Sequence, residues 1–268
     1  MTDAVYILIF TLVSLFATIT GSICGLGGGV VIKPILDSLG IMGVSSVSFL
    51  STCTVLSMSV VSVFRNVKNK TAKLNVKVSL PLAAGAAVGG VLGKTLFSDI
   101  KESVGNEELV GLIQASVMLV VIVGVVIYTL LKSKIKTLHF SNAAVCVIVG
   151  LVLGIISSFL GIGCGPINLI TLGFFFSMGT KDAALNSIFI IIFAQLASLI
   201  QTFVTGTVPD VSIWYVLFMV AGGIAGGFIG SKINKKISEE NVTRLFLILM
   251  FLIIIINIYN IYEFGTAL

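Results

Sequence analysis

The stretch GLGGG at residues 25–29, followed at once by the apolar run Val30–Leu39, decides the fold, because a near-copy returns 136 residues later. The copy is GIGCGP at residues 161–166, followed by the run Ile167–Met178. A helix needs about 20 apolar residues to cross a bilayer core of roughly 30 Å, so both runs are too short to span. Glycine disfavours helix and permits backbone conformations closed to other residues. Each stretch is therefore predicted to be a non-helical turn followed by a half-length helix.

The composition around these stretches indicates an integral membrane protein. The 268 residues are 57% hydrophobic and only 10% charged, with a mean hydropathy of +1.18. A soluble domain carries about 25% charged residues. The N-terminus has no basic region before its long apolar run, so we interpret that run as a membrane segment and not as a cleaved signal peptide. The four cysteines lie in apolar or glycine-rich segments and are expected to be free thiols.

Ten apolar segments follow one another, and each half of the chain has the order long, short, long, long, long. In the first half the segments are Ala4–Ile23, Val30–Leu39, Ser45–Phe64, Val78–Phe97 and Leu109–Leu131. In the second half they are Phe140–Leu160, Ile167–Met178, Ala183–Val204, Val211–Ile229 and Val242–Ile261. The sequence thus predicts one all-α membrane domain over residues 1–268, with repeat 1 at 1–134 and repeat 2 at 138–264.

The placement of basic residues indicates the topology. If the segments flanking each glycine loop enter and leave on one side, a single side receives 13 of the 16 basic residues, and most acids fall on the other. If the long segment before each glycine loop and the short segment after it together make one broken crossing instead, the basic residues are distributed over both sides and the bias is largely lost. The positive-inside rule favours the first arrangement. Each half then crosses an odd number of times, so the repeats have inverted topology, each a re-entrant or broken hairpin followed by three transmembrane helices. Both termini are predicted to lie outside the cytoplasm, in a multi-pass cell-membrane protein.

The two half-helices predict a place for an anion. The first N–H groups of a helix have no intrahelical partner, and the helix dipole makes this end positive. Two such ends, at Gly29 and at Gly165-Pro166, would meet near the midplane about a pseudo-two-fold axis, as in inverted-repeat transporters. The alternative is that these glycines only permit close packing. For Gly85, Gly89 and Gly93 and their partners in the second half, packing is the favoured interpretation.

Several polar residues near the loops are candidates with a competing structural role. Lys33 would add charge to an anion site, or pair with Asp37 four residues on, or extend to the membrane surface. Asn168 would donate to an anion or cap freed backbone, and Cys164 would contact a sulfur anion or simply fit a tight turn. Ser51, Asn186 and Ser187 would face the site or bond between helices. The predicted substrate-binding residues are Gly25, Gly27, Gly28, Gly29, Lys33, Ser51, Gly161, Gly163, Cys164, Gly165, Pro166, Asn168, Asn186 and Ser187.

These motifs resemble those of the sulfite exporter TauE/SafE family, also called the toluene-sulfonate uptake permease family. The resemblance rests on GLGGG followed by Pro34, and on GIGCGP followed by KDAALNS at residues 181–187. It covers nearly the whole chain, but Cys164 stands where the first loop has Gly28. The resemblance implies a permease for sulfite, sulfonates, sulfur-containing organic anions or related small acids.

Other functional classes find little support. Glycine runs followed by the Gly-Lys-Ser/Thr of a P-loop are absent, as are a paired His/Cys metal set and a nucleophile–base arrangement, so neither an enzyme nor a cofactor is expected. The net charge of +5 belongs to membrane topology and not to nucleic-acid binding. The expected partners are a small anionic substrate and the lipid bilayer, and homo-oligomerisation stays open. An anion channel and a non-transporting membrane scaffold remain the alternatives.

Overall fold

Ten α-helices make up the described part of the chain, which in this computed structural model is residues 3–140, 142–161 and 165–268. In the first half these are α1 (Asp3–Cys24), α2 (Gly29–Ser38), α3 (Val44–Lys68), α4 (Val76–Val104) and α5 (Glu107–Leu131). In the second half they are α6 (Ala143–Leu160), α7 (Gly165–Phe176), α8 (Thr180–Val204), α9 (Ile213–Asn234) and α10 (Glu239–Thr266). The described residues contain no strand, so the all-α prediction is confirmed.

Eight of these helices are long and apolar enough to cross a membrane, while α2 and α7 have only 10 and 12 residues. The predicted order of long and short segments is therefore confirmed. Some helices extend beyond their predicted apolar segments, because polar residues at their ends are also helical. The helix α4 ends seven residues after the predicted end at Phe97. Asn106 accepts hydrogen bonds from the N–H groups of Glu108 and Leu109, so α5 begins at Glu107, two residues before its apolar run.

Glycines bring two pairs of helices into backbone contact. A Cβ on Gly85, Gly89 or Gly93 of α4 would collide with the α6 backbone, and one on Gly230 of α9 would collide with α1. The contacts advance in the same direction along both partners, so α4 runs parallel to α6, and α1 to α9. The prediction that these glycines serve helix packing is confirmed.

The main pairs of contacting helices in one half of the chain correspond to pairs in the other half. When α1–α5 are exchanged with α6–α10 in order, the pair α1–α9 becomes α6–α4, and α3–α9 becomes α8–α4. The pairs α3–α8 and α5–α10 map onto themselves, and α2–α3 maps onto α7–α8. Both halves of the chain therefore contribute to one interlocked bundle, in which α3 and α8 pack together at the centre.

Contacts between loops define two ends of the bundle. At the end that we call basic, the backbone N–H of Lys73 donates to Asp182, and Lys132 donates to Thr243. At the end that we call acidic, Lys101 pairs with Glu107 at 2.6 Å, and a groove brings Glu107 and Glu263 together. Large apolar side chains such as Phe64, Val204 and Ile248 are more than half exposed on the outer faces. Exposed apolar surface of this extent fits a bundle surrounded by lipid.

Candidate functional site

The first glycine loop packs directly against its own helix α1. Gly25, Gly27 and Gly28 have φ values of 79°, 79° and 80°, which L side chains rarely adopt. A Cβ on Gly28 would lie 3.0 Å from the Ala17 carbonyl oxygen, and a Cβ on Gly21 would collide with the Gly28 backbone. These glycines are therefore needed for the turn whether or not an anion binds there.

The two glycine loops contact each other at the centre of the bundle. A Cβ on Gly165, the first residue of α7, would collide with the backbone of Leu26, three residues before α2 begins. Gly25 lies equally close to Ala184 of α8, and Gly161, with φ of 66°, faces Ser48 of α3. The N-terminal ends of the two short helices are thus brought to the same region, with α3 and α8 beside them.

Some predicted site residues lie at this junction. The Ser187 hydroxyl donates to the Gly25 carbonyl at 2.8 Å, and Gly29 and Pro166 are buried in the first turns of α2 and α7. Ser51, at the position that corresponds to Ser187, is fully buried, and within the described residues its hydroxyl has no hydrogen-bond partner. Asn168 is also buried, with its Oδ1 unpartnered in the same part of the chain. Gly163 and Cys164 lie outside the described residues.

Two other predicted residues are occupied by structural contacts. Lys33 pairs with Asp37 at 2.8 Å, and both side chains are less than one-tenth exposed, so its charge is already compensated within α2. This is the competing role expected from the i,i+4 spacing. Asn186 accepts from the Asn75 N–H and the Ser79 hydroxyl and donates to the Lys73 carbonyl. It therefore ties the α3–α4 connection to α8.

The structure also brings together residues that the sequence did not place in a site. A polar cleft beside Gly161 is lined by Lys94 of α4, Gln114 of α5 and Gln195 of α8. In the sequence, Lys94 looks like one of the charges that end an apolar segment. Its position inside the predicted apolar segment Val78–Phe97 was the available signal, because that places a cation inside a membrane-spanning helix.

A larger cavity opens near the basic end, between α5, α7, α8 and α10. This vestibule measures about 190 Å³ and is lined by Cys24, Tyr128, Lys132, Gly173, Thr243 and Phe246. It reaches Cys24, the residue directly before the first glycine loop. At the acidic end, a groove lined by Asp37, Glu107 and Glu263 includes no residue of residues 25–29, 161 or 165. Of these two cavities, the vestibule is thus the one that reaches a residue adjacent to a glycine loop.

The described cysteines are unpaired, and the described acids do not cluster. Cys24, Cys53 and Cys146 are free, which confirms the expectation for three of the four thiols, and Cys164 lies outside the described residues. Within residues 3–140, 142–161 and 165–268, no three His, Cys, Asp or Glu side chains come close enough to hold a metal ion.

Comparison with known proteins identifies the family. The family described as Sulfite exporter TauE/SafE matches residues 10–256, which is nearly the whole chain. No curated protein and no solved structure matches this sequence. The chain belongs to the sulfite exporter TauE/SafE family of membrane transporters, as its glycine motifs predicted.

Proposed function

We propose that this TauE/SafE family chain is a permease for a small anion, of which sulfite, an organosulfonate or a related sulfur-containing or carboxylate anion fits best. The observation that carries the proposal is the contact of Gly165, at the start of α7, with Leu26, just before the start of α2. It places two positive helix ends in one buried region, and such ends attract anions. The binding residues proposed at this junction are Gly25, Gly27, Gly28, Gly29, Ser51, Gly161, Gly163, Cys164, Gly165, Pro166, Asn168 and Ser187.

We further propose that the two halves are inverted repeats about an axis through this junction. The exchange relation among helix pairs and the parallel packing of α1 on α9 and of α4 on α6 support the arrangement. The basic end then faces the cytoplasm, since Lys and Arg are enriched in cytoplasmic loops, and both termini lie outside. Binding at the interface of inverted repeats is the general plan of secondary transporters.

The vestibule is the proposed cytoplasmic route to the site. Lys132 and the hydroxyls of Tyr128 and Thr243 favour an anion there, whereas the acid-lined groove at the other end repels it. In the second half, Thr243 stands where the first half has Gly111, if the acid pairs that begin α5 and α10 are superposed. At Gly111 the ring of Phe264 closes in, 2.7 Å from the position of a Cβ. Phe264 also lines the acidic groove, and its ring is the proposed barrier between that groove and the site. Alternating access requires such a barrier on one side at a time.

A blocking substitution tests this function. Gly173 lines the vestibule, and the atom nearest to a Cβ built there is the Tyr128 hydroxyl oxygen at 3.8 Å, so Gly173→Phe would fill the route without displacing backbone. Gly124→Phe is the matched control, because a Cβ at Gly124 meets nothing within 4 Å. We expect proteoliposomes with Gly124→Phe to take up labelled sulfite like the original chain and those with Gly173→Phe to take up little. Equal uptake by both variants would contradict the route.

A further inference from the structure

One cleft brings together four of the ten buried polar side-chain atoms that have no hydrogen-bond partner within the described residues. The Lys94 cleft, as we call it, lies beside the second glycine loop and is lined chiefly by Ser48, Lys94, Gln114, Ser158 and Gln195. Four of these side chains come from different helices, α3, α5, α6 and α8, and are only 1% to 5% exposed. Within the described residues, the Ser48 and Ser158 hydroxyls, Nε2 of Gln195 and Oε1 of Gln114 have no hydrogen-bond partner.

Such a cluster is costly unless something binds it. A buried donor or acceptor without a partner costs about 1–3 kcal/mol, and native proteins contain few of them. Lys94 adds a cation that forms no ion pair with any described residue, and its Nζ lies 5.2 Å from the centre of the Phe97 ring. A charge without an ion pair inside a membrane helix is a candidate for ligand binding.

The equivalent cleft in the other half shows that packing alone does not require free polar groups. It lies beside the first glycine loop and includes Ser22 and Asn234. There the Ser22 hydroxyl bonds to that of Ser62 at 2.7 Å, and Asn234 donates to the Ile23 carbonyl at 2.6 Å. At the repeat offset of 136, Ser22 corresponds to Ser158, whose hydroxyl is unpartnered within the described chain. The serine and asparagine side chains of the cleft beside the first loop thus have partners, whereas Ser48 and Ser158 of the Lys94 cleft do not.

The unpartnered groups define the chemistry of a ligand. Lys94, Gln195, Ser48 and Ser158 are all donors to oxygen, which suits an oxyanion. Gln114 differs, because its amide nitrogen donates to the Phe159 carbonyl at 2.5 Å and so leaves the carbonyl oxygen as an acceptor. An acceptor among donors suits a ligand that carries a hydrogen of its own.

We propose that the Lys94 cleft binds the transported anion, and that it selects a small monoanion carrying one O–H group, as hydrogensulfite does, over an unprotonated dianion. This proposal rests on the proposed function. It assigns the polar contacts with the anion to the side chains of the Lys94 cleft, and not to the glycine loops beside it. The cleft now offers about 10 Å³ to the centre of a water molecule, which is room for one water. The wall must therefore widen on binding, and Lys94, which is half-buried and has a long flexible side chain, is the group able to move.

Binding of sulfite to the purified full chain, measured by isothermal titration, tests the proposal. Lys94→Gln and Gln195→Leu are each expected to weaken binding about tenfold or more, since each removes a donor to a charged ligand. Lys77→Gln is the control, because it removes the same charge from the exposed start of the same helix. Ser158→Ala, which only deletes a hydroxyl, replaces Lys94→Gln if unfolding measurements show that the latter does not fold.

The outcomes separate this proposal from the proposed function. Sulfite binding that is weakened by the cleft variants but not by Lys77→Gln supports the Lys94 cleft. Unchanged binding in folded cleft variants would overturn it, mark the cleft as a water site and leave the permease function standing. If the original chain neither binds nor transports any sulfur anion, the function itself fails. Titration with sulfite above the pH at which hydrogensulfite loses its proton should give weaker binding, and equal binding would refute the role of Gln114.

Discussion

Lys33→Met is expected to lower the free energy of unfolding by about 3–5 kcal/mol, because it leaves Asp37 as a buried charge without its partner. The Lys33 Nζ and Asp37 Oδ2 atoms are 2.8 Å apart, and the side chains are 3% and 8% exposed, so solvent screens neither charge. Within the described residues the second oxygen of Asp37 has no partner, so the pair is not ideally satisfied. Removing both charges in Lys33→Met/Asp37→Leu should therefore restore most of the loss.

Arg244→Met provides the matched control. Arg244 and Glu240 form an ion pair with the same i,i+4 spacing at 2.7 Å, but their side chains are 70% and 73% exposed. Exposed helix pairs of this kind contribute only about 0.3–0.5 kcal/mol. Denaturant unfolding in detergent micelles measures all three variants. Equal losses for Lys33→Met and Arg244→Met would refute the reasoning. A stable double variant that no longer binds sulfite would return Lys33 to the anion site that its sequence position first suggested.

Three further predictions concern packing, the α3–α4 connection and topology. Gly89→Leu should prevent stable folding or cost more than the roughly 1–3 kcal/mol typical of overpacking, since its Cβ would collide with the α6 backbone, whereas Gly124→Leu should be neutral or stabilising when unfolding is measured. Asn186→Leu should lower the free energy of unfolding by about 2–3 kcal/mol, because it leaves the Asn75 N–H and the Lys73 carbonyl without their hydrogen-bond partner. A loss below about 0.5 kcal/mol, as for a surface substitution, would contradict this. Single cysteines placed at Asn69 and Asp210 should be labelled by an impermeant reagent from opposite sides of the membrane, and labelling from the same side would refute the inverted topology.

The helices could be predicted from the sequence, because a segment that crosses the lipid must be apolar over its whole length and therefore has a high mean hydropathy. The short lengths of α2 and α7 followed from the glycines that precede them, and the i,i+4 spacing of Lys33 and Asp37 identified their pairing as an alternative. The end of α4 was underestimated, because the polar turns after Phe97 leave the apolar core while staying helical.

The Lys94 cleft could not be predicted in the same way. Its members are spread along the sequence from Ser48 to Gln195 on five helices, and close packing of α4 on α6 at glycines brings two of those helices together. Sequence shows that Ser158 corresponds to Ser22, but not that one hydroxyl finds a partner and the other does not. That difference depends on the rotation of each helix about its axis, which tertiary contacts determine.

Counterflow is the measurement that tests anion transport by this chain most directly. Liposomes containing the purified protein are loaded with unlabelled sulfite and diluted into a trace of labelled sulfite. We predict a transient accumulation of label above its equilibrium level, because a carrier that exposes its site to one side at a time exchanges internal for external anion. Label that rises to equilibrium without an overshoot would identify a pore, and label that does not enter would identify a scaffold. Either result, in protein shown to be folded, would contradict the proposed permease.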